Sequence, residues 1–195
     1  MKMKASFHRY MLAVFAAATL AASGSARSQV AQVDLGKSSI TATSKQMNVP
    51  VEGKFTKFTA QVSFDPAKPG SGSAQFTVDV ASYDLGDQEY NAQVAGKDWF
   101  DAKTYPTATF VSSEITPAGG GAKYSVKGKL TIKGKSEAVI VPVTVTQQGA
   151  NQIFDGQVPI KRLNFDIGTG EWKDTSTVAD EVIIKFHIVA APKKG

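Results

Sequence analysis

A strict two-residue rhythm in Ala122–Gly134 (AKYSVKGKLTIKG) constrains the fold more than any other feature of the chain. Lysine, serine and threonine occupy one parity. The other parity holds Tyr124, Val126, Gly128, Leu130 and Ile132. Such alternation is typical of a strand with one face in water and one face buried. The apolar face must contact either packed protein or a ligand, and that choice decides the function.

The same alternation recurs along most of the chain. It appears in FTAQVSF, AQFTVDV, TATFVSSEI, AVIVPVTVT, IFDGQVPIKRL and DEVIIKFHIVA, and near VAQVDLGKSSITA. With the stretch above, this predicts about eight strands, most of them joined by short Gly-rich turns. Consecutive antiparallel strands lose their edges by closing into a barrel, and a two-sheet sandwich is the alternative. The continuous apolar face favours an all-β, antiparallel eight-stranded barrel.

One segment, from Tyr83 to Pro106, breaks the alternation. It contains good helix formers and places Tyr90 and Val94 four residues apart. We predict a short helix over residues 87–95, then a loop that carries an adjacent tryptophan and phenylalanine. The chain is therefore expected to be all-β with one helical insertion.

The first 26 residues have the features of a secretory signal peptide. A basic start precedes the apolar run MLAVFAAATLAA, and small residues follow it. The run is too short to span a bilayer, which takes about 20 residues. Without these residues, the balance of 22 basic against 17 acidic residues becomes 19 against 17. We expect residues 27–195 to form one exported domain that does not bind nucleic acid.

The sequence offers few residues for catalysis or metal binding. The chain has no cysteine, and His187 is the single histidine of residues 27–195. His187 shares its parity with Lys185, so we expect it on the solvent face of the last strand. One histidine without cysteine cannot make a typical zinc or copper site, and no Ser-His-Asp set lies apart from it. We predict a protein without metal or cofactor that is not an enzyme.

Four segments carry a resemblance to a known family. They are KQMNVPVEGKFTKF (Lys45–Phe58), KDWFDAKTYPTATF (Lys97–Phe110), GKLTIKGK (Gly128–Lys135) and IKRLNFDIGTGEWKD (Ile160–Asp174). In order and spacing they resemble the YceI-like family of bacterial periplasmic proteins. The resemblance implies a periplasmic, lipocalin-like barrel around an elongated apolar tunnel. In characterised relatives this tunnel holds a polyisoprenoid or a similar long amphiphile, and no enzyme activity is implied.

The sequence departs from the better-known members of that family at the pocket mouth. Many members carry a histidine in the early strand and an Arg-Asp pair on the insertion helix. Here the equivalent places read Gln46-Met47 and GDQEYNAQ. A more neutral mouth makes a quinone-type isoprenoid at least as plausible a ligand as a charged pyrophosphate.

Parity and resemblance together predict the residues that line the pocket. They are Met47, Phe58, Phe76, Trp99, Phe100, Phe110, Val126, Gly128, Leu130 and Phe165. The Trp-Phe pair of the insertion is expected either at the mouth or as a plug of the core, and Trp172 is expected to be structural. Arg162 either meets a ligand oxygen or pairs with Asp166 or Asp180, and the ion pair is favoured.

Two functions from different classes remain open. The first is a carrier or store that holds a long-chain isoprenoid lipid or an isoprenoid quinone in its tunnel. The second is a packed barrel that acts through its surface, by transient contact with a membrane or a membrane respiratory protein, or in a stress response. The sequence leaves the oligomeric state open.

Overall fold

Alternation along the chain produces eleven antiparallel strands in residues 31–191, the part of the chain that the computed structural model describes. In chain order they are β1 (Gln32–Val33), β2 (Ser39–Gln46), β3 (Val49–Phe55), β4 (Phe58–Ser63), β5 (Ser73–Asp79), β6 (Tyr83–Asp84), β7 (Thr107–Pro117), β8 (Lys123–Ile132), β9 (Lys135–Gln148), β10 (Asn151–Lys161) and β11 (Glu181–Ala191). The expected count of about eight was low because β1 and β6 are too short to show a pattern, and Pro50 and Gly53 interrupt β3.

The strands form one sheet in the order β4-β5-β7-β8-β9-β10-β11-β2-β3-β6, with β1 added to β11. The sheet curls on itself so that the chain at β1, beside β11, returns to the first strand, where the N–H of Ala31 donates to the carbonyl oxygen of Val62 of β4 at 2.7 Å. The result is a curled half-barrel, so the prediction of an all-β, lipocalin-like barrel with one helical insertion is confirmed.

The two faces of the sheet follow the parity of the sequence. On β8, Tyr124, Val126 and Leu130 are buried, whereas Lys127 and Lys129 on the other parity are exposed. The same rule holds on β9, where the odd-numbered valines point inward. The apolar face of the opening stretch therefore contacts the barrel interior.

Three glycines inside strands lie beneath aromatic rings of the barrel interior. The pairs are Gly53 with Tyr83, Gly128 with Phe110, and Gly156 with Phe186. A Cβ atom at any of these glycines would overlap the ring that covers it. Glycine in a strand often marks a bend or a close approach, and here an interior ring fills the space of the absent side chain.

The predicted helix is confirmed within one residue at each end, as α1 (Gln88–Val94). Asp87 caps it, because its carboxylate accepts hydrogen bonds from the N–H groups of Glu89 and Tyr90 at 2.8 and 3.1 Å. No helix among residues 31–191 is long and apolar enough to cross a membrane. The predicted signal peptide, residues 1–26, lies outside the described residues.

Candidate ligand cavity

An apolar cavity runs along the barrel interior. The centre of a water-sized sphere can occupy about 150 Å³ of it, and the total space between atoms is about 1160 Å³ including the part that opens to solvent. The lining residues on β8 run from Tyr124 to Ile132, so the cavity extends along the length of that strand. An apolar cavity of similar size in another protein stays dry and binds benzene.

The cavity lining has almost no polar groups. Of its 24 residues none is charged, seven are phenylalanine, and only Thr109 and Tyr124 carry a hydroxyl group. Concave apolar surfaces of this kind are typical of sites for small molecules. Such a wall favours an apolar guest and offers little to a charged one.

Aromatic clusters lie at both ends of the cavity. At one end Phe64 packs edge-on against Tyr124 and Phe154, with ring centroids 4.8 and 5.7 Å apart. At the other end Phe100, from the insertion, packs against two further rings, those of Phe55 and Tyr83, at 6.1 and 5.8 Å.

Arg162 organises the polypeptide that covers the Phe100 end. Its side chain is 1% exposed, and all five of its N–H donors bond to backbone carbonyl oxygens at 2.7–3.0 Å. The acceptors belong to Ile167, Gly168, Trp172, Val178 and Ala179. Burial lowers the pKa of the guanidinium and nearby Asp180 opposes that change, but no carboxylate bonds to Arg162 directly.

The favoured ion pair for Arg162 is therefore wrong, and so is a direct contact with the cavity, because Arg162 is not among the cavity-lining residues. Asp166 instead pairs with Lys135 at 2.6 Å. Asp180 accepts a hydrogen bond from the N–H of Leu163 at 3.1 Å. Arg162 is a positioning residue for the loop of residues 162–180.

The insertion is tied to this loop. The N–H groups of Gly168 and Thr169 both donate to the carbonyl oxygen of Asp98 at 2.8 Å. The ammonium of Lys133, in the β8–β9 turn, donates to the carbonyl oxygens of Lys97 and Asp166, also at 2.8 Å. We call residues 96–105 and 162–180 together the cap.

Trp99 lies within the cap and not on the cavity wall. Its ring lies 5.6 Å from that of Trp172 and 6.0 Å from the guanidinium carbon of Arg162. Its indole N–H is buried and has no hydrogen-bond partner among the described residues. Of the two positions expected for the Trp-Phe pair, the structure places Trp99 in the plug and Phe100 on the wall.

Five of the ten residues predicted to line the pocket lie on the cavity wall: Phe76, Phe100, Phe110, Val126 and Leu130. Met47 lies in the β2–β3 turn with a positive φ of 47° and is 67% exposed. Phe58 packs at the edge of the core, and Phe165 is fully buried within the cap. Whether any of the ten binds a ligand stays a prediction.

Gly128 is the clearest geometric correction. It was expected to face open tunnel space, but the ring of Phe110 already occupies the position that a Cβ would take, and the carbonyl oxygen of Val111 lies 2.7 Å from it. A substitution at this glycine would change the packing of the wall before it reached the cavity.

Sequence reasoning missed several wall residues that obey the same parity rule. They are Phe55, Phe64, Tyr124, Phe154 and Phe186. Each is an aromatic residue on the inward parity of its strand or directly after it. The parity rule already placed Tyr124 on the apolar face, and applying it to every inward aromatic residue would have added all five to the predicted lining.

The single histidine of residues 27–195 lies on the outer face, as expected. His187 Nδ1 is 2.7 Å from the Asp155 carboxylate, and both side chains are about half exposed. Among residues 31–191, no group of three histidine or acidic side chains could hold a metal ion. That the protein is stable without metal stays a prediction, and a chelator should leave its melting temperature unchanged.

These features define the class of protein, a lipocalin-like barrel around an apolar cavity. Residues 32–190 match the YceI-like domain. The chain belongs to the YceI-like family.

Sequence relatives agree with this assignment. The chain is 32% identical to a UPF0312 protein of Pseudomonas fluorescens over 169 residues, which covers 80% of this chain and 78% of the relative. A UPF0312 protein of Vibrio cholerae is 35% identical over 91 residues, 47% of this chain. The chain spans about half (48%) of the length of that relative.

Solved structures share the fold. The crystal structure of Burkholderia cenocepacia BcnA superposes with a TM-score of 0.80 at 72% identity, covering 82% of this chain and all of BcnA. A Campylobacter jejuni YceI protein gives a TM-score of 0.67 at 25% identity, with 74% and 86% of the two chains covered. A polyisoprenoid-binding domain from Saccharophagus degradans gives 0.65 at 16% identity, with 82% and 97% covered, and shows the fold alone.

Proposed function

We propose that the protein binds the apolar chain of an isoprenoid lipid in its barrel cavity and carries or stores it. The single observation that supports this most directly is the cavity wall, which is apolar along the barrel interior and has no charged residue. A structural neighbour described as a polyisoprenoid-binding domain supports the same ligand class.

The energetics of burial favour such a ligand. Each buried CH₂ group contributes about 0.8 kcal/mol, so one isoprene unit offers roughly 3–4 kcal/mol before costs. A few units outweigh an association cost of about 4–15 kcal/mol. No polar anchor is required, and we expect affinity to rise with chain length.

The few polar groups of the cavity wall limit which head group the lipid ligand can carry. Thr109 and Tyr124 supply the hydroxyl groups of the wall, and the guanidinium of Arg162 is fully bonded within the cap. A pyrophosphate would find no free cation among the residues that line the cavity. We therefore favour a neutral head group, such as a quinone or an alcohol.

The test begins with the ligand itself. Protein purified without detergent is extracted with organic solvent, and the extract is analysed by mass spectrometry. The same protein, stripped of lipid, is then offered geranylgeraniol, and the bound prenyl alcohol is quantified. We expect either a co-purifying prenyl lipid or saturable uptake of the added one, and failure of both would refute the proposal.

A matched pair of variants links uptake to the cavity. Ala74 lines the cavity, whereas its neighbour Gln75 on the same strand is exposed on the outer face. Ala74→Phe should fill cavity space and reduce the bound prenyl alcohol at least tenfold, and Gln75→Phe should leave it unchanged. Equal uptake by the two variants would show that the ligand binds elsewhere.

The alternative is a packed barrel that acts through its surface. In that case Ala74→Phe overpacks the core and lowers the stability by about 1–3 kcal/mol, and no prenyl alcohol binds to any variant.

We further propose export to the periplasm through the predicted signal peptide, which N-terminal sequencing of the secreted protein would test, with Arg27 expected as the first residue.

A further inference from the structure

The barrel wall contains a seam between β9 and β10. The ladder between these strands ends at the pair Val143–Gly156. Both strands are described along their whole length, and past that pair no residue of Lys135–Pro142 is in register with one of Gln157–Lys161. The flanking ladders, β8–β9 and β10–β11, each continue for ten pairs. Of these three neighbouring interfaces, only β9–β10 is interrupted in this way.

Two prolines account for the break. The carbonyl oxygen of Pro142 lies 2.9 Å from the position that a Cβ on Gly156 would take, so the polar groups of Pro142 point toward β10. If the register continued, Pro142–Gln157 and Ile140–Pro159 would be the next two hydrogen-bonded pairs. Each pair lacks one of its two N–H donors because proline has none.

The seam joins an apolar outer surface to the cavity. On the outside, Pro142 and Pro159 are exposed, and the side chain of Ile140 is 61% exposed. On the inside, the cavity-lining residues beside the seam are Val139, Val141 and Val158. An apolar chain that passes between the strands would meet apolar side chains along its whole path.

Both ends of the cavity are harder to open. One end is closed by the Phe64 cluster of aromatic rings, and the other is covered by the hydrogen-bonded cap. We propose that the seam is the portal through which the apolar chain of a lipid passes between a lipid surface and the cavity. This inference rests on the proposed function, because it gives the ligand of that cavity its route.

The outer lip of the seam suits an anionic lipid surface. Ile140 lies opposite Lys127 of β8, and Ala138 lies opposite Lys129. Both lysines are on the exposed parity, and Lys127 also pairs with Glu114 at 2.7 Å. An apolar side chain flanked by ammonium groups can insert between lipid chains while the lysines remain near anionic head groups.

The test restores the missing donors. The double variant Pro142→Thr/Pro159→Thr restores both backbone N–H groups, and its threonine side chains occupy positions that face outward. The ladder can then extend and close the seam. Lipid-free protein is mixed with vesicles of phosphatidylcholine and phosphatidylglycerol that contain geranylgeraniol. At timed intervals the vesicles are sedimented and the prenyl alcohol bound to the protein is quantified by mass spectrometry. We expect uptake at least tenfold slower than in the wild type, with the final amount bound unchanged.

Controls separate this inference from the proposed function. Pro117→Thr changes an exposed proline at the end of β7, away from the seam, and should take up the prenyl alcohol at the wild-type rate. Amide hydrogen exchange reports whether the ladder has extended, through new protection of Ile140. A double variant with this protection and wild-type uptake would overturn the portal. A wild type that neither co-purifies with a prenyl lipid nor binds geranylgeraniol would refute the proposed function instead.

A second double variant keeps the test decisive if the ladder does not extend. Because the chain has no cysteine, Ile140→Cys/Pro159→Cys can be joined across the seam by a short bifunctional thiol reagent. Asp155→Cys/His187→Cys, joined across the intact β10–β11 ladder at a pair outside the seam, is the control. Cross-linking the seam should slow uptake at least tenfold and the control should not, and equal rates would overturn the portal.

Vesicles without phosphatidylglycerol should deliver the prenyl alcohol more slowly to the wild type.

Discussion

The cap and the seam satisfy backbone hydrogen bonds in opposite ways. In the cap, one guanidinium supplies donors for five carbonyl oxygens of an irregular loop, and Arg162 is almost fully buried among them. In the seam, Pro142 and Pro159 remove donors from strands that would otherwise continue a regular ladder. The cap therefore has irregular backbone with many hydrogen bonds, whereas the seam has regular strands with few hydrogen bonds between them.

This difference shows where the barrel can open. Unfolding the cap would leave several buried carbonyl groups without donors, at about 1–3 kcal/mol for each. Lifting the cap intact would break the bonds that tie it to the barrel, among them those of Lys133 to the carbonyl oxygens of Lys97 and Asp166 and that of the Ala179 N–H to the carbonyl oxygen of Lys45. Separating β9 from β10 along the seam breaks few bonds, since these strands are not in register there and half of the donors that would continue the ladder are absent. Regions of low local stability are the ones that open first. We therefore expect ligand exchange at the side of this barrel and not at its capped end.

The largest loss of stability is expected when Arg162, the central cation of the cap, is replaced. Arg162→Met keeps much of the side-chain volume but leaves the five carbonyl oxygens without their donor. We expect the free energy of unfolding to fall by on the order of 4 kcal/mol or more, measured by urea denaturation. Arg162→Lys retains the charge and three donors, so its loss should be intermediate. Wild-type stability of Arg162→Met would contradict the role of the cap.

A pH-dependent effect is expected at Tyr83, which joins β6 to the neighbouring sheet edge. Its hydroxyl donates to the carbonyl oxygen of Ala42 at 2.9 Å, and burial raises its pKa from 10.0 to about 12. Between these pH values the unfolded chain releases a proton that the folded protein keeps, so stability falls as the pH rises. We expect a loss of roughly 2–3 kcal/mol across this window.

Tyr83→Phe serves as the control, because it keeps the ring above Gly53 and removes the titrating group. In this variant the stability should fall less as the pH rises, because the contribution of Tyr83 is absent. In the wild type, tyrosinate absorbance should report a tyrosine that titrates late. If the two proteins decline in parallel with pH, the buried hydroxyl does not contribute to stability as proposed.

The sequence predicted the strands and the helix well because both depend on local order. Alternation fixes which face of a strand is buried, and Asp87 marks the start of α1. The partners of Arg162 could not be predicted, since backbone carbonyl groups carry no side-chain signature. Pro142 and Pro159 are visible in the sequence, but only the strand register shows that they face the same interface.

A smaller effect should distinguish the closed wall from the seam. A Cβ at Gly128 meets the Phe110 ring and, at 2.7 Å, the carbonyl oxygen of Val111, in a part of the wall that pairs on both sides. Gly128→Ala should therefore lower stability by about 1–3 kcal/mol. At Gly156 the nearest backbone atom is the Pro142 oxygen, 2.9 Å away at the start of the seam, where β9 can move. Gly156→Ala should cost less, as urea denaturation of both variants would show.

The smallest effect is expected at a side-chain contact that spans the capped end of the seam. Asn164, just after β10, donates to the Glu137 carboxylate of β9 at 2.7 Å on an exposed surface. Glu137→Ala should lower stability by less than about 1 kcal/mol, because exposed polar contacts contribute little. It should nevertheless speed amide exchange at Thr144, which pairs with Asp155 next to the open end of the β9–β10 ladder, since the seam loses its tie to the cap. Glu52→Ala removes a similar exposed contact, from Thr43, between strands that pair fully, so exchange at Thr144 should not change. Equal exchange at Thr144 in the two variants would mean that the seam is held by the strands themselves and opens no more easily than the rest of the wall.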